Sequence, residues 1–193
     1  MSKIFGVGLQ RSGTTSLAHA LVDMGYKTCH YVVHDDEIKM ADAIVDAPVF
    51  SDYAKLDAEY PGSKFICTVR NLDQWARSFK IKVVDKHIQN NTKPTTMNLR
   101  CNHAVFGTLD RTYLTNLDFL KQKHDEHIKA LSEYFSNKKD HFLILAIDED
   151  NAMEKLASFL GRPFQLTLFP HDLNPSTHGW ESFEHPLKIR KKR

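Results

Sequence analysis

The 193-residue chain contains no apolar run long enough to cross a lipid bilayer. Its longest apolar run, at residues 142–147, has the length of a strand, whereas a membrane-spanning helix needs roughly 20 residues. No positively charged segment followed by an apolar stretch precedes the first apolar run, so the sequence shows no export signal. We therefore expect a cytoplasmic protein with no membrane partner.

Cysteine is scarce as well. Cys29, Cys67 and Cys101 are odd in number and show neither CxxC nor Cys/His metal spacing. This pattern argues against a disulfide framework and against a structural zinc site. It is typical of a protein that works in a reducing compartment.

Outside the end of the chain, basic residues are fewer than acidic ones. The last six residues carry five of the 26 Lys and Arg and none of the 24 Asp and Glu, so the remainder is mildly acidic. A general nucleic-acid binder would show a basic surface with interleaved aromatic side chains, and we expect no such partner. The basic tail is interpreted as a solvated terminus, with a clamp on an anionic ligand as the alternative. The sequence leaves the oligomeric state open.

Three short apolar runs, at residues 4–8, 65–69 and 142–147, have the length and composition of buried parallel strands. Each is followed by apolar residues at helical spacing, and a further strand is expected at 27–31. Repeated strand-then-helix units predict an α/β fold of three layers, with a central parallel sheet flanked by helices. The chain length fits one domain, residues 1–193.

Residues that cap helices indicate where several of the helices begin and end. Asn71 is expected to cap the helix after the second apolar run. Asn151 and Glu154 resemble a capping box at the start of the last helix, and Gly161 is expected to end it. Apolar residues recur at helical spacing over 114–135, which predicts a long amphipathic helix.

Two segments break the strand-and-helix pattern. Residues 88–108 contain the run Asn-Asn-Thr-Lys-Pro and are expected to form a surface excursion or lid. Residues 161–193 are expected to form an extended tail packed across the domain. Neither segment carries a motif from which a substrate can be deduced.

The strongest functional signal is the run Gly-Leu-Gln-Arg-Ser-Gly-Thr-Thr at residues 8–15. A strand leads into a glycine-containing loop and then into a helix, which points backbone N–H groups and a helix N-terminus at one anion. The two glycines allow a tight turn, and three hydroxyl groups can donate further hydrogen bonds. These residues are Gly8, Gly13, Ser12, Thr14 and Thr15. The run predicts a phosphate-binding loop.

The loop departs from the nucleoside-triphosphate P-loop at one position. Gly8 and Gly13 have the P-loop spacing, but Thr14 stands where that loop has the lysine that reaches the β- and γ-phosphates. Arg11 is the only cation of the loop, and it can contact the bridging oxygen between a 5′-phosphate and a transferred group. No acidic strand end for a metal is evident. The loop therefore suits a less charged donor than a magnesium-bound triphosphate, and no metal is expected.

The run at residues 8–17 resembles the 5′-phosphosulfate loop of the sulfotransferase superfamily. A second motif is similar to the 3′-phosphate site of that family, with Arg70 at the end of a strand and Ser78 about two helical turns later. The resemblance covers most of the chain and is strongest to the short sulfotransferase-like proteins of bacteria and fungi. Further similar segments are residues 46–48, 60–66, 154–163 and 169–174.

The resemblance implies a P-loop-type enzyme that transfers a sulfuryl group from 3′-phosphoadenosine 5′-phosphosulfate (PAPS) to a hydroxyl or amine. The acceptor would be a small molecule or a glycan. The implied donor-binding residues are Arg11, Ser12, Gly13, Thr14 and Thr15 at the 5′ end, and Arg70 and Ser78 at the 3′-phosphate. The Arg-Lys-Gly segment with which animal cytosolic sulfotransferases also hold this phosphate has no clear counterpart here, and the basic tail is a candidate substitute.

Transfer to a hydroxyl or amine requires a base that takes up the proton of the acceptor. His30 and Asp46 are the first candidates, because a base must face the crevice beyond the carboxyl ends of the strands. His34 and His103 are the reserves. Arg11 completes the set of catalytic candidates, because it can neutralise charge that develops on the leaving group.

Two other functions remain open at this point. A divergent P-loop nucleotide kinase would bind ATP with magnesium, and a non-catalytic nucleotide-binding module would keep the loop without a base. Trp75 could stack on adenine in any of these proteins. Its spacing from Leu72 and Phe79, however, favours a place in the core.

Overall fold

The computed structural model describes residues 2–32, 34–86, 90, 92–164, 169–170 and 179–190. The strands are β1 (Ile4–Gly6), β2 (Thr28–His30), β3 (Ala43–Val45), β4 (Lys64–Val69) and β5 (Phe142–Ala146). The helices are α1 (Thr14–Asp23), α2 (Asp35–Met40), α3 (Val49–Glu59), α4 (Leu72–Phe79), α5 (Thr96–Phe106), α6 (Arg111–Leu114), α7 (Leu117–Tyr134) and α8 (Ala152–Leu160). A π-helical turn, Lys80–Asp85, continues α4, and a 3-10 turn, Lys139–His141, precedes β5.

The described strands form one parallel sheet in the order β2-β3-β1-β4-β5. This confirms the predicted α/β class and the strands at both ends of the chain, although β1 ends at Gly6, earlier than expected. The prediction missed β3. Because all five strands run in the same direction, their carboxyl ends lie at one edge of the sheet, which is where open α/β sheets bind ligands.

Alternate residues of the strands face two different helical layers. Ile4 packs in a cluster with side chains of α1 and α8, whereas its neighbour Phe5 packs in a cluster with side chains of α3 and α7. Side chains of a strand alternate between the faces of a sheet, so each face carries its own core. The predicted three-layer arrangement is therefore confirmed.

A third core lies beside the carboxyl edge of the sheet and is built by α4, α5 and α7 around Trp75. The Trp75 side chain is fully buried, and its indole N–H donates a hydrogen bond of 2.9 Å to the Gln10 carbonyl oxygen. Trp75 therefore belongs to the core, as its spacing indicated. Through this bond it also supports residues 8–15, the predicted phosphate-binding loop.

The helix ends agree with the sequence in part. The Asn71 side chain accepts a hydrogen bond from the Gln74 N–H, which confirms it as the cap of α4. The predicted long helix is α7, but it begins at Leu117 with Asn116 as its cap. The capping box at Asn151 was wrong, because the side chain of this residue caps no N–H group of α8. Gly161 ends that helix at a positive φ of 62°, as predicted.

Residues 88–108 contain helix α5, whose Cys101 and Phe106 side chains are buried in the third core. Helix α5 is thus packed on the domain, and the action of residues 88–108 as a lid stays a prediction. In the tail, the Thr28 N–H donates to the Leu187 carbonyl and the Ile189 N–H donates to the Thr28 carbonyl, so residues 187–189 extend the sheet beyond β2.

Lys188 and Arg190, the described part of the basic run, have partners within the tail itself. The Lys188 ammonium donates to the carbonyl oxygens of Trp180, Glu181 and Phe183, and Arg190 pairs with Glu184. Residues 191–193, the remainder of the basic run, lie outside the described residues. The expected substitute for the Arg-Lys-Gly segment therefore finds no support in Lys188 or Arg190.

Within the described residues, no helix combines the length and the apolarity that a membrane crossing requires. The same part of the chain brings together no group of three or more His, Cys, Asp or Glu side chains that could hold a metal ion.

Candidate active site

A cavity of about 640 Å³ opens at the carboxyl edge of the sheet. Residues at or after the carboxyl ends of all five strands contribute to its wall, as does the first turn of α1. Its charged side chains are Arg11, Arg70, Lys82, Lys86, Asp46 and Asp148. Four cationic groups therefore face two carboxylates in one cavity, a balance that favours an anionic ligand.

The phosphate-binding loop is fastened to β4 by a pair of buried hydroxyl groups. The Ser12 and Thr68 side-chain oxygens are 2.7 Å apart, and both residues are almost completely buried. The Ser12 N–H donates to the Leu9 carbonyl oxygen. In the structure this hydrogen bond connects the loop to β4. The expected role of Ser12 in ligand binding stays a prediction.

The two glycines of the loop are required for different reasons. A Cβ atom on Gly8 would lie 2.3 Å from Thr68 Oγ1, so this position admits only glycine because the loop passes so close to β4. Gly13 has a φ of 104°, and its Cβ would lie 2.3 Å from the Ile147 side chain in the cavity wall. Glycine adopts such a φ at little cost, so the chain can turn here directly into α1.

The N-terminus of α1 faces this cavity without a cap. No side chain caps the N–H groups at the start of α1, and its first turn contains no acidic residue. Thr14 and Thr15, at the start of the helix, line the cavity wall. The first N–H groups of a helix have no partner within the helix, and together with the helix dipole they attract an anion.

Arg11 is the cation of the loop, and its backbone has a positive φ of 72°. Its Nε donates a hydrogen bond of 3.1 Å to the Ser78 hydroxyl on α4. Burial lowers the pKa of Arg11, the nearby Arg70 guanidinium lowers it further, and the Asp46 carboxylate opposes both. Two guanidinium groups that repel one another in a partly buried site favour the binding of an anion between them.

The carboxyl ends of β2 and β3 bring His30 and Asp46 together. His30 Nε2 lies 3.6 Å from Asp46 Oδ2, and it lies 3.4 Å from the hydroxyl oxygens of both Thr14 and Thr15. The Asp46 carboxylate accepts hydrogen bonds from the Thr14 hydroxyl and from the Ala47 N–H. Asp46 is held at a positive φ of 75°. The two candidates for the base thus form one cluster over the start of α1.

Arg70 and Ser78 have different partners in the structure. Arg70 lies directly after β4 and donates a hydrogen bond of 2.9 Å to the Gln74 side chain, whereas Ser78 accepts from Arg11. A joint grip of Arg70 and Ser78 on one phosphate therefore stays a prediction. The reserve residues His34 and His103 are exposed and do not line the cavity.

Comparison with known protein families bears on this arrangement directly. A family model described as a sulfotransferase domain matches residues 3–38 and 33–178, which include the loop, both strand-end candidates and α4. The chain belongs to this family. Membership supports sulfuryl transfer as its general activity. None of the curated proteins matches the chain.

The sulfotransferase domain has cavity residues that the sequence analysis missed. Gln74, Lys82 and Lys86 line the wall along α4 and its π-helical continuation, and Asp148 follows β5. Together with Ser78, the first three recur every four residues, a helical spacing that places side chains on one face. That spacing could have identified these residues from the sequence, because it continues the helix face on which Ser78 accepts a hydrogen bond from Arg11.

The C-terminal segment of the sulfotransferase domain also reaches the site. The Trp180 ring is buried, with its centroid 5.8 Å from that of the His30 ring and 5.7 Å from that of His19. Gly179, the residue before it, lines the cavity. The described tail therefore packs against the strand-end histidine, a contact that no motif in the sequence indicated.

Proposed function

We propose that this protein transfers the sulfuryl group of PAPS to a hydroxyl or amine of a small-molecule or glycan acceptor, in the cytoplasm and without a metal. One observation carries the proposal: Arg11, the uncapped N-terminus of α1 and the His30–Asp46 pair face the same cavity. An anion-binding element and a proton acceptor are the two components that such a transfer requires.

The donor half of the site is formed by α1 and α4. The N–H groups of Gly13, Thr14 and Thr15 would bind the 5′-phosphosulfate, as helix N-termini bind phosphate. Arg11 would contact the bridging oxygen, and its bond to Ser78 fixes the direction of the guanidinium. Arg70, the second guanidinium group of the cavity wall, would bind the 3′-phosphate.

The acceptor half contains the base. In the proposed step the acceptor oxygen or nitrogen forms a bond to sulfur, and the bond between sulfur and the bridging oxygen breaks. His30 takes up the acceptor proton, and the Asp46 carboxylate beside it stabilises the resulting imidazolium. Arg11 stabilises the charge that develops on the leaving phosphate. The products are the sulfated acceptor and adenosine 3′,5′-bisphosphate.

The experiment is a thermal-shift comparison of adenosine 3′,5′-bisphosphate with adenosine 5′-phosphate, which lacks the 3′-phosphate. At a hundredfold excess over its Kd, a ligand of the native state adds about 2.7 kcal/mol of stability, so the bisphosphate should produce the larger shift without magnesium. Arg70→Ala should weaken bisphosphate binding by about 1.5–3 kcal/mol, the range for a hydrogen bond to a charged group. Arg77→Ala removes an arginine of α4 that is exposed and outside the cavity, and it is the control.

Three outcomes would contradict parts of the proposal. A larger, magnesium-dependent shift with ATP would indicate a nucleotide kinase. Bisphosphate binding without turnover of any acceptor would indicate a binding module. If Arg70→Ala discriminates the two adenosine nucleotides as well as the parent does, Arg70 does not bind the 3′-phosphate.

A further inference from the structure

Two lysines line the cavity beyond the proposed donor site. Lys82 and Lys86 lie on the π-helical turn Lys80–Asp85 and at the residue that follows it, and both belong to the cavity wall. Both are exposed, and neither ammonium group has a hydrogen bond or an ion pair with another described residue. Asp85 is the one acidic residue within six positions of either lysine in the sequence. Whether it neutralises the lysines depends on the partners of its own carboxylate.

Asp85 is already paired on the other side of this turn. Its two carboxylate oxygens accept from Lys80, at 3.1 Å, and from Arg111, at 2.8 Å. The other carboxylates of the cavity wall belong to Asp46, which is hydrogen bonded beside His30, and to Asp148, which follows β5. The positive charge of the lysine pair is therefore available to a ligand.

The lysine pair lies too far along the helix to be explained by the donor contacts alone. Ser78, which meets Arg11, is four residues before Lys82 and eight before Lys86. With a helical rise of about 1.5 Å per residue, Lys86 lies roughly 12 Å beyond Ser78 along the axis. The same wall thus has one cationic region at Arg11 and Arg70 and a second at the lysine pair.

A polar group elsewhere in the cavity wall also lacks a partner. Asn98, in the first turn of α5, accepts a hydrogen bond of 3.1 Å from Gln10 Nε2. Gln10 is nine-tenths buried, and its Oε1 has no hydrogen-bond partner among the described residues. Both residues line the cavity. Unsatisfied buried polar atoms are uncommon in folded proteins, and they are expected where a ligand supplies the missing bond.

We propose that the space between the lysine pair and Asn98 binds an acceptor that carries an anionic group of its own, such as a carboxylate, in addition to the hydroxyl or amine that is sulfated. This inference rests on the proposed function, since it makes the region the acceptor half of the same cavity. The ammonium groups of Lys82 and Lys86 bind the anion. The polar wall at Gln10 and Asn98 binds the remainder of the acceptor.

The experiment compares phenols that differ only in charge: 4-hydroxybenzoate, 4-hydroxyphenylacetate and 3-(4-hydroxyphenyl)propionate, each against its carboxamide. Binding is measured by calorimetry with adenosine 3′,5′-bisphosphate at saturation, so that the donor half is filled. In at least one pair the carboxylate should bind about tenfold more tightly than the amide, equal to about 1.4 kcal/mol for two partly exposed lysines together. The double variant Lys82→Gln/Lys86→Gln should lose this preference, and added salt should weaken it in the parent.

Lys80→Gln is the matched control, because it removes a lysine of the same turn that faces Asp85 instead of the cavity. It should keep the preference. Equal binding of acid and amide in every pair, whether both bind or neither does, would overturn the inference. So would a double variant that loses more affinity for the bisphosphate than for the carboxylates, since the lysines would then belong to the donor site.

The binding measurement does not depend on turnover, so the two proposals can fail separately. A carboxylate preference without any sulfuryl transfer would contradict the proposed function and leave the anion subsite standing. Sulfuryl transfer to phenols without a carboxylate preference would contradict the subsite alone.

Discussion

A buried histidine beneath the phosphate-binding loop should make the folded protein sensitive to acid. His127, on α7, is 7% exposed, and its Nε2 donates a hydrogen bond of 3.0 Å to the Val7 carbonyl oxygen, next to Gly8. Burial lowers the pKa of His127 to about 4, the Val7 hydrogen bond opposes this change, and the neighbouring His124 lowers the pKa slightly further. In the unfolded chain a histidine has a pKa of about 6.5.

The sign of the effect follows from proton binding. Between pH 6.5 and 4 the unfolded chain binds a proton at His127 that the folded protein excludes, so the free energy of unfolding falls as the pH falls. The loss approaches about 1.4 kcal/mol per pH unit, or about 3 kcal/mol over the whole interval. Above about pH 6.5 His127 is neutral in both states and adds no pH dependence to the free energy of unfolding.

The assay is urea unfolding at pH 7, 6 and 5, followed by circular dichroism. His127→Gln keeps an amide that can donate to Val7 but removes the titrating group, so between pH 6 and 5 it should lose about 1 kcal/mol less stability than the parent. Other carboxylates and histidines titrate equally in both proteins and cancel in this difference. His103→Gln, at an exposed histidine, should follow the parent. Parallel stability curves for the parent and His127→Gln would refute the reasoning.

Two further predictions concern the loop and the base. Gly8→Ala should lower the free energy of unfolding by about 3 kcal/mol, the upper end of the range for overpacking, because the new Cβ would meet Thr68 at 2.3 Å. Gly25→Ala has open space and a φ of 87°, and should cost about 1 kcal/mol by urea unfolding; equal losses would exclude steric contact as the reason for Gly8. His30→Ala should lower sulfuryl transfer to a phenol 10²- to 10⁴-fold with bisphosphate binding unchanged, and Asp46→Asn should lower it less. Parental rates in both variants would remove the pair from the mechanism.

The strands at the C-terminal side of the sheet were predicted because their apolar runs are visible in the sequence. β5 is an uninterrupted apolar run and β4 contains one at residues 65–67, although the Ile144 side chain of β5 is 43% exposed. β3 was missed because it has only three residues, Ala43–Val45, and acidic residues lie on both sides of it. α3 was missed because only four of its residues are buried and charged residues interrupt the apolar spacing that would indicate a helix.

The candidate site was predictable where a backbone feature determines it. A strand, a loop with two glycines and a helix define an anion site locally, and the place of His30 follows from the shared edge of parallel strands. The strand that Asp46 follows, β3, was not predicted. The hydrogen bonds of Ser12 and Ser78 were not predictable, because the partner of each is more than 50 residues away, Thr68 and Arg11 respectively. Lys82 and Lys86 were missed because lysines on a helix usually face solvent.

In the part of the chain that the structure describes, three residues other than glycine have a left-handed backbone, and they follow β1, β2 and β3: Arg11, Tyr31 and Asp46. Each such residue costs roughly 1 kcal/mol or more relative to an ordinary conformation, and glycine would relieve that cost. Selection for a stable fold and selection for this site therefore act in opposite directions at the same positions. A laboratory search for heat-resistant variants that is scored only on folding should accumulate glycine at Arg11 and Asp46, and its most stable products should be the ones that have lost these side chains from the cavity.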